Sequence, residues 1–267
     1  MNTVRVGPSR HPRDSLPSVA SRATSASLRV AMWSGPRNIS TAMMRAWENR
    51  ADCAVSDEPL YAHYLQATGF EHPGGDEVIA AGDTDWRRVV EALTNGPAPD
   101  NQPVWYQKHM SHHLLPGMAL DWIERLHNVL LIRDPHQVVA SYVKSRADVT
   151  PDDIGLPQQA RLYEHLCATG NAPPVIDAGD FLRAPEAHLR AVCDLLGIDF
   201  KPTMLAWPAG PRDSDGIWAR HWYARVWAST GFESQTEQSP ALTPAYASVA
   251  EACMPHYKRL HAVRLQI

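Results

Sequence analysis

The stretch VAMWSGPRNISTAMMRAW, Val30 to Trp47, runs from an apolar segment through a turn into a helical pattern. Strand, tight loop and helix N-terminus in that order form the geometry in which backbone N–H groups and the helix dipole hold an anion. A nucleotide triphosphatase would write the loop as GxxxxGK[ST], with a Lys on the phosphates and a hydroxyl on Mg²⁺. Here Gly35 is followed by Pro36, Arg37, Asn38, Ile39, Ser40 and Thr41, without the second Gly or the Lys. An ATP- or GTP-driven motor is therefore not indicated. What remains is an Arg in the turn and two hydroxyl residues at the helix start, all able to face one phosphate. The competing role is that Asn38 or Ser40 caps the helix.

Outward from this stretch, short apolar runs alternate with helical patterns. LRVAMW (28–33) reads as a buried strand and STAMMRAWENR (40–50) as the helix after it. DCAVSDE (52–58), PVWYQKH (103–109), HNVLLIRD (127–134) and PPVIDAG (173–179) read as four further strands. PHQVVASYVKSR begins with Pro135 at the first helical position. In PEAHLRAVCDLLG the residues Leu189, Val192, Leu195 and Leu196 share one face, and Gly197 stands at the helix end. Strands separated by helices predict an α/β fold with a central, mostly parallel five-stranded sheet flanked by helices, its ligands at the carboxyl ends of the strands. Two inserts break the alternation: 61–102, suited to cap one edge of a site, and the Pro-, Gly- and Trp-rich stretch after Phe200. A final amphipathic helix starts at about Thr243. No internal repeat is present.

The chain has 267 residues, 44% hydrophobic and 20% charged, and no apolar run approaches the roughly 20 residues needed to span a membrane. Residues 28–267 fit a single α/β domain. Residues 1–27, rich in Arg, Ser and Pro with one acid, Asp14, read as a disordered leader. A net charge of −4 and a pI near 6.3 give no sign of nucleic-acid binding. Cys53, Cys167, Cys193 and Cys253 form no CxxC pair, which argues against a zinc ribbon or disulfide framework and for a reducing, cytoplasmic compartment. The oligomeric state stays open, a homodimer being one arrangement.

A second basic element lies at the end of the fourth strand, where Arg133 precedes Ser141 by eight residues, two turns into the next helix. Two anion sites suit a nucleotide phosphorylated in two places. With these motifs in view, the chain resembles the sulfotransferases that use 3′-phosphoadenosine 5′-phosphosulfate (PAPS). GPRNIST is similar to that family's 5′-phosphosulfate loop, and RDPHQVVASY to its 3′-phosphate motif. PVIDAGDFLRAPEAHLRAVCDLLGIDF is similar to the segment after the fifth strand, and GPRDSDGIWARHW more faintly to the late nucleotide-binding loop. Ile39 departs from the small residue of the first loop, and the late loop is poorly matched. The resemblance implies a three-layer, P-loop-like fold, PAPS as cofactor without a required metal, and a small-molecule acceptor. It implies nucleotide contacts at Gly35, Pro36, Arg37, Asn38, Ser40, Thr41, Arg133, Ser141, Arg212, Gly216 and Trp218, with Trp218 and Trp222 the tryptophans suited to stack on adenine.

The family carries a Lys-x-His near the end of its third strand, followed by LLP; this chain has YQKHMSHHLLP. Counting on from Lys108 places the family's His on Met110, while counting back from Leu114 places it on His109, one residue being missing between the anchors. His109 is expected as the general base, with His112 in reserve or touching the substrate. Lys108 and Arg37 are expected to stabilise charge during in-line transfer to a hydroxyl or amine. No acid or Cys adjoins His109, His112 and His113 to complete a metal site. Asp57 and Glu58 end the second strand, where they could contact an acceptor or cap a helix starting at Pro59. Two other readings stay open: a phosphoryl-transfer enzyme on the same fold, and a non-catalytic nucleotide-binding protein.

Overall fold

In the computed structural model, residues 27–233 and 241–267 are described, together with Met1; all but the ends of the expected leader lie outside them. The elements in chain order are β1 (Leu28–Ser34), α1 (Ser40–Glu48), β2 (Cys53–Asp57), α2 (Tyr61–Thr68), α3 (Gly75–Ala81), α4 (Trp86–Asn95), β3 (Val104–Met110), β4 (His127–Ile132) and α5 (Pro135–Tyr142). They continue with α6 (Pro151–Ile154), α7 (Leu156–Ala168), β5 (Val175–Asp177), α8 (Ala178–Arg183), α9 (Pro185–Leu195), α10 (Ala219–Trp222), α11 (Ala224–Ala228) and α12 (Pro244–Ala262).

The five strands form one sheet in the order β2-β3-β1-β4-β5, and every pairing is parallel. β1 pairs with β3 along its whole length, Leu28 with Val104 through Ser34 with Met110, and with β4 from Val30 to Ser34. A central strand covered on both faces is apolar without alternation, which is why LRVAMW reads as a continuous run. Its two faces nonetheless enter different layers. Val30 and Met32 join Tyr106, Val129 and Leu131 against α1, α8 and α9. Ala31 and Trp33 join Trp105, Leu130 and Ile132 against α4, α5, α7 and α12.

The 61–102 insert folds as three helices. α12 begins at Pro244 with Thr243 as its cap residue. α5 stops at Tyr142, four residues short of the pattern. Gly197 does lie past the end of α9 with a left-handed φ of 69°, but Leu195 is 61% exposed, so the apolar face of α9 is narrower than its sequence suggests.

Candidate active site

β1, β3 and β4 end side by side, and the segments that leave them border a cavity of about 330 Å³. Two of the non-glycine residues with positive φ, Arg37 (53°) and Glu58 (44°), line it. Backbone strain of this kind gathers where a side chain must be aimed against local preference.

The helix start carries no side-chain cap. Ile39 occupies the cap position of α1, and its first turn holds no acid. Asn38 does not cap either: its Oδ1 accepts from the Ile39 N–H at 2.8 Å and its Nδ2 donates to the Leu131 carbonyl at 3.0 Å, pinning the loop to β4. The first N–H groups of α1 are orphaned by helix geometry and carry the positive end of its dipole. Pro36, Arg37, Asn38, Ser40 and Thr41 all line the cavity.

The two basic motifs meet here. Arg37 Nε donates to Ser141 Oγ at 3.0 Å, and Arg133 Nη1 donates to the Arg37 carbonyl at 2.6 Å. Arg133 is steadied by its own helix, Nε donating to Gln137 Oε1 at 3.2 Å. Arg225 of α11 lines the same space and was marked by no motif. Burial, then the neighbouring guanidinium of Arg225, lowers the pKa of both Arg133 and Arg37 from the usual arginine value. They remain charged, and the crowding of cations is what an anion would relieve.

Glu58 and Lys108 lie in another part of the lining. The Lys108 ammonium is fully buried and donates to Asp57 Oδ1 (2.8 Å), Glu58 Oε1 (2.5 Å) and the Tyr223 hydroxyl (2.7 Å). All three of its protons are thereby used. Burial would lower its pKa, but Asp57 and then Glu58 hold it well above the usual lysine value. The Glu58 carboxyl is raised, because burial outweighs the attraction of Lys108. Asp57 also accepts from Tyr223 Oη (2.7 Å) and the Gly216 N–H (3.2 Å), fastening the late segment to β2. Neither acid caps a helix, since α2 starts at Tyr61 with Leu60 in the cap position.

Aromatic groups stand around Glu58. Tyr61 donates or accepts at His72 Nδ1 (2.7 Å), Trp218 meets Tyr61 edge-on at 5.1 Å, and Trp218 Nε1 donates to Tyr223 Oη at 3.3 Å. Trp222 stands edge-on to His72 at 6.3 Å. Trp218 and Trp222 therefore sit with the ring cluster beside Glu58. His112 lines the cavity as well, its pKa pushed down to about 3 by burial and then by His72.

Four expected site residues are placed elsewhere. His109 follows Lys108 on β3 and so points to the opposite sheet face, where it stacks on Trp33 at 4.2 Å in the core. Its Nε2 lies 3.2 Å from Gln107 Oε1, burial pushes its pKa down to about 3, and it does not line the cavity. Gly35 is outside the lining too: a Cβ there would overlap the Ile154 carbonyl oxygen, so the glycine serves the close approach of α6. Arg212 pairs with Glu48 at 3.1 Å beneath α1. Gly216 is spent on Asp57. The late segment's cavity-lining residues come after these two, at Trp218, Trp222, Tyr223 and Arg225.

An anion with two separated charged groups suits this end of the cavity, since an uncapped helix start and guanidiniums from the segments after β1 and β4 and from α11 border it together. Among the described residues no helix is long and apolar enough to cross a membrane.

A sulfotransferase domain model matches residues 28–264. The chain is 37% identical over 233 residues to the branched-chain-amino-acid aminotransferase-like protein 1 of Arabidopsis thaliana, covering 86% of this chain and 41% of the relative. With protein 2 of the same name and organism the figures are 36% over 228 residues, 85% and 40%. The chain thus spans about two-fifths of these curated relatives. Among solved structures, a sulfotransferase from Alicyclobacillus acidocaldarius superposes with a TM-score of 0.54 at 14% identity, over 91% of this chain and 98% of that one. It shares the fold of a parallel sheet wrapped by helices, and the match to the domain model carries the assignment further: the chain belongs to the sulfotransferase domain family.

Proposed function

We propose that the protein is a PAPS-dependent sulfotransferase acting on a hydroxyl or amine of a small-molecule acceptor. The observation that carries this reading is the joining of the two anion motifs, Arg37 bonded to Ser141 and Arg133 to the Arg37 carbonyl, above an uncapped helix start. When bound, PAPS supplies a sulfuryl group carried on a phosphate that can leave. Arg37 and the first N–H groups of α1 hold the 5′ end and the negative charge that grows there. Arg133 and Ser141 hold the 3′-phosphate.

The acceptor enters against Tyr61, His72, Trp218 and Trp222. Glu58, aimed by its left-handed backbone and held by Lys108, takes the proton from the acceptor's hydroxyl or amine. His109, in the core behind the sheet, has no path to it. A carboxyl whose pKa burial has raised is a stronger proton acceptor than an ordinary one. Lys108 acts on the acceptor only through Glu58, because its donors are already committed. His112 contributes a neutral imidazole to the wall.

The test is calorimetric titration with 3′-phosphoadenosine 5′-phosphate (PAP), the product nucleotide, beside ATP with Mg²⁺. The wild type should bind PAP without metal, and Arg133→Ala should weaken it by about 10- to 100-fold, the worth of a charge-assisted contact. Preference for Mg-ATP would move the reading to phosphoryl transfer. PAP binding with no transfer to any acceptor in a broad screen would leave a nucleotide-binding protein.

A further inference from the structure

The cavity's rim holds an ion pair that the reading above does not use. Arg225 donates from Nη2 and Nε to Glu233 Oε2 at 2.9 and 3.3 Å, and both residues line the cavity together with Arg37 and Arg133. Of the other acids on the lining, Glu58 is engaged with Lys108 and Glu71 belongs to the aromatic end beside His72. Among the described residues, Glu233 is therefore the carboxylate stationed among the guanidiniums. The pair is open to water, with side chains 73% and 53% exposed, so it is screened and weakly held. The Arg225 charge nonetheless reaches inward, acting on Arg133 ahead of Arg37 and the other described charges.

We infer that Glu233 is a resting counter-ion for the nucleotide site, displaced from Arg225 when a phosphate reaches Arg133, so that this exchange favours doubly phosphorylated nucleotides. The inference rests on the reading of the cavity as a PAPS site. A phosphate carries up to two charges and three acceptor oxygens against one charge on the carboxylate, and it can accept from Arg133 and Arg225 at once. A nucleotide phosphorylated only at its 5′ end, seated on the start of α1, leaves Arg225 with Glu233. It gains nothing from the exchange.

Titration of the full chain with PAP and with adenosine 5′-phosphate, in wild type, Glu233→Gln and Arg225→Ala, tests this. Both side chains are exposed, so neither substitution threatens the fold. Glu233→Gln should tighten PAP by about three- to tenfold while leaving adenosine 5′-phosphate within about twofold, the scale of removing one exposed competing charge. Arg225→Ala should weaken PAP by about tenfold or more. PAP binding that Glu233→Gln leaves unchanged or weakens overturns the inference alone, as does equal tightening of both nucleotides or an Arg225→Ala variant that binds PAP as the wild type does. A folded wild type that fails to bind PAP overturns the PAPS reading and the inference with it.

Discussion

Lys108 and His109 are neighbours on one strand, and a strand sends neighbours to opposite faces. Only one of them can address the cavity, and the register gives that place to Lys108. The proposed proton-accepting role then falls to Glu58, which yields a sharp contrast. Glu58→Gln keeps the shape of the site and removes the acceptor of the proton, so turnover should fall by about 10²- to 10⁴-fold with PAP affinity nearly unchanged. Because burial raises the Glu58 pKa, the rate should decline on the acid side at a pH above the ordinary carboxylate range. Loss of PAP binding in the variant, or wild-type turnover, would refute the assignment. The alternation of β3 was open to inspection in the sequence and would have excluded a Lys-His pair sharing the site. The partnership of Lys108 with Asp57, Glu58 and Tyr223 was not, because residues 51, 50 and 115 positions away supply it.

Helix α1 works because of what surrounds its first turn. Gly35 precedes it, and the space a side chain would need is filled by the Ile154 carbonyl at the end of α6. Gly35→Ala must push α6 or the loop aside, at a cost of about 1–3 kcal/mol. Thermal unfolding should register the loss, and PAP binding should weaken because Arg37 moves with the loop; an unchanged melting temperature would show that α6 yields freely. The order strand, loop, helix around this glycine was legible from Val30 to Trp47, since a fully covered parallel strand and an amphipathic helix leave different patterns. Arg133 and Ser141 were legible for the same reason, a Pro135 start and a spacing of two turns. Arg225 was not. It belongs to a segment whose path is set by tertiary ties, Arg45 to Asp215 at 2.5 Å, Arg212 to Glu48 and Gly216 to Asp57, which no local pattern encodes.

The molecule as a whole keeps several imidazoles neutral. Burial lowers the pKa of His109 and His112 to about 3, and that of His113 well below its ordinary value. The unfolded chain takes up protons on these groups near pH 6.5 while the folded chain refuses them. Their contribution to stability is complete above about 6.5 and is lost as the pH falls toward 3, at about 1.4 kcal/mol per pH unit for each histidine. Denaturant unfolding followed from pH 7 to 5 should show this slope, and His109→Gln should make it shallower by about one histidine's share; an unaltered slope would refute the assignment. The order of the sheet has a consequence of another kind. β1 precedes the other strands in the chain yet stands at the centre, and its partner β4 begins about a hundred residues later, Val30 pairing with His127. On the ribosome this central strand must therefore wait roughly 5 to 20 s for its second neighbour. Through that interval Arg37 exists without Arg133, so a ligand that needs both can stabilise only a chain that has already assembled.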